Sequence, residues 1–79
     1  MPRFHLKIFN GAGEAPDEEG QELANLAAAR AEAIRGIRSL LAAELSEGKI
    51  DLGGRIEITD RDDRILQTIA FREAVTVNN

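Results

Sequence analysis

The sequence predicts an α+β fold: a three- or four-stranded, mainly antiparallel sheet with one long amphipathic helix packed on one face. Three observations carry this. A helical period of apolar residues runs from Leu26 to Ser46, a strand-like alternation runs from Arg3 to Phe9, and two further apolar runs, Gly54 to Thr59 and Arg64 to Phe71, flank an acidic turn.

The helix organises the rest. At ~100° per residue, Leu26, Ala29, Ala33, Ile34, Ile37, Leu40, Leu41 and Leu45 share one broad arc, with Glu32, Arg35, Arg38, Ser39 and Ser46 opposite. Asn25 is placed to cap the amino end, because its side-chain oxygen can accept from a free N–H of the first turn, and Gly48 is placed to end the helix in a left-handed conformation. Gly36 costs the middle of the helix about 1 kcal/mol against alanine and reads as a packing glycine that admits another backbone. Arg30 and Glu44 interrupt the apolar arc. An unpaired guanidinium among Leu26, Ala33, Ile34 and Ile37 is costly, so Arg30 is expected to lay its stem on the sheet and meet a carboxylate, Asp17 or Glu19. The sharper alternative is that Arg30 holds a ligand anion.

From Arg3 to Phe9, Phe4, Leu6 and Ile8 fall on one face and Arg3, His5 and Lys7 on the other. Asn10-Gly11 favours a tight turn, after which Gly13 to Ala15 either adds a short strand or stays loop. The acidic stretch Pro16–Glu22 leads into the helix, where carboxylates favour the amino end of the dipole. Its spacing does not fit the alternating oxygen ligands of a calcium loop. Lys49 to Gly53 reads as a linker, and Ile56 and Ile58 mark one face of the next strand. Asp60 to Asp63 makes a turn in which Asp63 tolerates positive φ. The last strand has apolar residues on both faces, Leu66 and Ala70 on one and Ile65, Ile69 and Phe71 on the other, which favours a central place between the first and middle strands. Arg72 to Val77 continues as an irregular segment or edge strand, and Asn78-Asn79 is expected to fray.

With 79 residues the chain fits one domain spanning residues 1–79, of a size at which oligomerisation often assists folding. It has no cysteine, which removes disulfides, thiolate nucleophiles and cysteine-based zinc sites. The net charge of −4 argues against nucleic acid as a partner, because phosphate contact rests on clustered Lys and Arg. No apolar stretch reaches ~18 residues and no signal region opens the chain, so the expectation is a cytoplasmic protein without membrane contact.

The opening Met1-Pro2-Arg3-Phe4, Pro16-Asp17-Glu18-Glu19-Gly20, Ala29-Arg30-Ala31-Glu32-Ala33, and Gly54-Arg55-Ile56-Glu57 with its hairpin and Phe71-Arg72 resemble a family of short alphaproteobacterial proteins of unknown function. That resemblance covers nearly the whole chain and implies no activity or site residues. Asp17-x-x-Gly20 before an alanine-rich helix is also similar to the partner-binding domain of HicB-type antitoxins. This second likeness implies an RNA-cleaving toxin as partner, although here no DNA-binding domain is appended.

No catalytic constellation stands out. His5, the sole histidine, lies between two cations on the solvent side of a strand and is expected to be exposed and idle. Gly11-Ala12-Gly13 lacks the third glycine and the lysine of phosphate loops. Acid pairs in the turns are ordinary turn chemistry. The favoured function is a non-enzymatic protein-interaction module, homodimeric, without cofactor or metal. A helix of ~31 Å overhanging a strand of ~23 Å, together with the two-sided last strand, leaves apolar surface for a second copy, with Ile65, Ile69 and Phe71 as its interface. The alternatives are an antitoxin-like binder of a basic protein and a carboxylate-based metal binder or enzyme. The possible site constellation is Arg30 with Asp17 and Glu19.

Overall fold

A computed structural model describes residues 2–78; the fraying expected of Asn79 lies outside them. The alternating segment forms β1 (Arg3–Asn10), and Asn10-Gly11 turns it back into β2 (Gly13–Ala15), so the short second strand is present. Within the acidic stretch a further strand, β3 (Gln21–Glu22), pairs with the start of β1. After it come α1 (Leu26–Ser46), β4 (Arg55–Thr59), β5 (Ile65–Ala70) and a 3₁₀ turn at Phe71–Ala74. The five strands form an antiparallel sheet in the order β2-β1-β4-β5, with β3 added to β1 beside β2.

The helix keeps its predicted bounds and ends. Asn25 Oδ1 accepts from Ala28 N at 2.9 Å, and Gly48 takes φ +85° just past the last turn. Asp63 adopts φ +64° in the turn before β5. Ala29, Ala33, Ile37 and Leu41 are the buried residues of α1, and they close over Phe4, Ile56, Ile58, Ile69 and Phe71. The buried stripe runs from Ala29 to Leu41 only, about 18 Å of a helix of about 31 Å, and Leu45 past its end is 61% exposed.

The expected strand order is not the observed one: β4, not the last strand, stands between β1 and β5. The cross-strand pairs explain it. Leu6 and Ile8 lie opposite Ile58 and Ile56 on the core side, and on the other face Lys7 lies opposite Glu57 and Phe9 opposite Arg55. The Arg55 guanidinium sits 4.3 Å from the centre of the Phe9 ring. β5 offers only Leu66, Thr68 and Ala70 at such positions and has no charge for Lys7. Its two-sided apolar character reflects an edge with a bulge: Ile58 pairs with Gln67 and Thr59 with Ile65, leaving Leu66 without a partner in β4.

Phe71 leaves the strand to plug the core, and its N–H donates to Gly54 O at 2.9 Å. A Cβ on Gly54 would lie 2.5 Å from the Phe71 ring and 2.7 Å from Phe9 O, so only glycine fits there. Arg38 Nε donates to Ala74 O at 2.7 Å and ties the 3₁₀ turn to the helix. Gly36 does not act as a packing glycine. Nothing beyond its own stretch of helix lies within 4 Å of where its Cβ would stand, because a hollow over Leu6, Ile8 and Ile56 opens there.

Candidate functional site

Asp17 holds the acidic loop against β1. Its Oδ2 accepts from Leu6 N at 3.0 Å, its Oδ1 from Gly20 N at 3.2 Å, and its carbonyl accepts from His5 Nδ1 at 2.6 Å. The carboxylate thereby fills the gap along the β1 edge between β2, which pairs from Ile8, and β3, which pairs up to Phe4. Glu19 contributes only its carbonyl, which accepts from Arg3 Nη1 at 2.7 Å, while Arg3 Nη2 reaches Glu22 at 3.2 Å.

The expected meeting of Arg30 with Asp17 or Glu19 is therefore not made. Asp17 is committed to backbone N–H groups of the sheet, and no ion pair or hydrogen bond to Arg30 is found among the described residues. Arg30 is half-buried. Nor do the loop acids serve the helix dipole, since the first turn of α1 contains none. The loop instead lies along the edge of β1, bordering a hollow on each face of the sheet.

His5 is half-buried rather than exposed and idle. Because a carbonyl can only accept, Nδ1 carries a proton, and in the neutral ring Nε2 is left as an acceptor. His5 lines a cleft of about 320 Å³ with Lys7, Asp17, Glu18, Asp60 and Asp63. Lys7 forms an ion pair with Asp63 there, and the hydrogen bond that its ammonium donates to that carboxylate raises the lysine pKa above its ordinary value. Among the described residues no three of the His, Asp and Glu side chains converge as metal ligands. Of the charges in the cleft wall, Lys7 and Asp63 neutralise each other, Asp60 is paired with Arg64, and Asp17 is bonded to backbone N–H groups. A second hollow, of about 310 Å³, opens beside Gly36 over Leu6, Ile8, Ala33 and Ile56.

Asp51, which the sequence reading passes over, ties two loops together, and Asp60 holds the turn in which the sequence places it. Asp51 Oδ1 accepts from Gly53 N at 2.9 Å and its Oδ2 from Gly11 N at 3.2 Å, joining the segment before β4 to the β1–β2 turn. These backbone donors, Gly53 first, hold its pKa below the ordinary carboxylate value. Asp60 is lowered likewise, chiefly by Arg64 N–H and then by Asp62 N–H. The signal for Asp51 is local: an Asp two residues before a Gly is an Asx-turn pattern.

The expected interface residues separate. Ile69 and Phe71 are fully enclosed within one copy of the chain, so they belong to its core and not to a contact surface. Ile65 is 58% exposed, and its neighbour Leu66 is 42% exposed. Both lie on β5, whose far side carries no strand. Ala70 N, at the end of that edge, donates to the Glu73 carboxylate at 2.7 Å. No helix among the described residues is long and apolar enough to cross a membrane.

No curated protein and no solved structure matches the chain. The profile of the domain of unknown function DUF6894 matches residues 3–72, which takes in every strand, the helix and the start of the 3₁₀ turn. The chain belongs to that family.

Proposed function

We propose that this chain is a small non-enzymatic protein-interaction module that works as a homodimer, with β5 as its contact surface. The observation that supports it is the difference between the two edges of the sheet: beyond β1 lie only the short strands β2 and β3, which carry Glu14 and Glu22 and are separated by the Asp17 carboxylate, whereas β5 is a six-residue edge with Ile65 and Leu66 exposed and no charged residue from Ile65 to Ala70. Edge strands normally carry charge, proline or a cover to prevent pairing, and an uncharged edge with adjacent exposed aliphatic side chains is suited to receiving another strand. Size-exclusion chromatography with light scattering at micromolar concentration tests this. The expected mass is that of a dimer, and Leu66→Lys is expected to shift it to a monomer while far-ultraviolet circular dichroism stays unchanged. A monomeric mass for the unaltered chain overturns the homodimer.

A further inference from the structure

The hollow beside Gly36 lies where the core face of the sheet is incompletely covered. Leu6 and Ile8 of β1 stand opposite Ile58 and Ile56 of β4 on that face, yet the two β4 residues are buried and the two β1 residues only half-buried. The space is about 310 Å³, with Leu6, Ile8, Ala33 and Ile56 as its apolar lining. That volume is at the small end of the range of about 300–1,000 Å³ in which small-molecule sites fall. Gly36 stands at this hollow in the middle of α1, where alanine would favour the helix more, and a Cβ there would meet nothing outside the helix itself. The missing side chain leaves the space open.

The charges that line the hollow have one sign. Asp17 and Glu32 belong to its wall, and no Lys, Arg or His does so among the described residues. Asp17 makes no ion pair among the described residues. Each of its two carboxylate oxygens accepts one backbone N–H and keeps a lone pair for a further donor. Glu32 is paired through Oε2, at 2.8 Å, with an Arg35 side chain that is 72% exposed, and a pair so screened by water yields to a competing cation.

We infer that this hollow binds a small aliphatic amine in its ammonium form, with the carbon chain on Leu6, Ile8, Ala33 and Ile56 and the ammonium at Asp17 and Glu32. A carboxylate of the same length meets repulsion from both acids, and a neutral alcohol gains the apolar contact without the charge. The hollow lies over β1, two strands away from the β5 edge, so this inference stands apart from the homodimer.

Heteronuclear NMR titration of the full chain with n-hexylammonium chloride tests it. Saturating shifts are expected at the amides of Leu6, Ile8, Ala33 and Gly36, with hexanol binding roughly threefold more weakly and hexanoate not binding over the same concentrations. Affinity is expected to fall roughly threefold for each methylene removed, down to butylammonium. Glu32→Gln is expected to weaken hexylammonium roughly threefold. Gly36→Leu is expected to occupy the hollow and abolish the shifts while far-ultraviolet circular dichroism stays unchanged; if that variant does not fold, the chain-length series and Glu32→Gln decide. Hexanoate binding as tightly as hexylammonium, a folded Gly36→Leu that still binds, or no saturating shift at these amides overturns the site. The mass in light scattering has no bearing on it.

Discussion

Asp17 shows how one side chain can substitute for a strand. Its carboxylate accepts two backbone N–H groups, Leu6 from β1 and Gly20 from its own loop, where a continuous neighbouring strand would otherwise supply carbonyls. Hydrogen bonds to a charged acceptor contribute about 1.5–3 kcal/mol, and losing the acceptor leaves a half-buried donor unpaired. Asp17→Ala is therefore expected to lower unfolding stability by about 2 kcal/mol in urea titrations and to raise amide exchange at Leu6. Arg30→Ala, which breaks no hydrogen bond or ion pair found among the described residues, is expected to stay within ~0.5 kcal/mol of the unaltered chain. A larger loss for Arg30 than for Asp17 would reverse this assignment.

At the scale of elements, α1 is the piece most fully determined by local sequence. Its bounds, its Asn25 cap and its Gly48 termination all follow from interactions within a few residues. The exception is Gly36, placed mid-helix with open space over its Cβ. Gly36→Ala is expected to raise stability by about 1 kcal/mol, measured by thermal or urea unfolding, since it gains helix propensity and meets nothing. Destabilisation would mean that the space is used. The strands were legible as segments but not in their order. Alternation shows that Leu6 and Ile8 share a face, whereas the neighbour of β1 depends on pairs such as Lys7 with Glu57, which involve residues far apart in the chain. β3 escaped detection because two residues, Gln21-Glu22, are too few to show any period. The reading of Ile69 and Phe71 as interface failed for a related reason. Apolar residues on both faces of a strand signal burial, but only the assembled sheet shows whether the same copy of the chain supplies the cover.

For the whole molecule, carboxylates at loop junctions govern the response to acid. Asp51 and Asp60 have folded-state pKa values lowered by backbone N–H donors, so the stability they contribute is present above the unfolded value near ~3.9 and is lost as pH falls through the lower folded values. Lys7, raised by Asp63, acts at the other limit, where its contribution fades as pH climbs through its elevated value. The urea midpoint is expected to drop as pH falls below about 4, and Asp51→Asn to flatten that drop; an unchanged acid limb would show that these junctions do not couple to folding. The closed flank of the sheet has a further consequence. A layer that could add neighbours on both flanks would propagate without limit into fibrils, as amyloid does. With the Asp17 carboxylate seated in the backbone of β1 and only short strands beside it, pairing through β5 alone would end at two copies and not propagate.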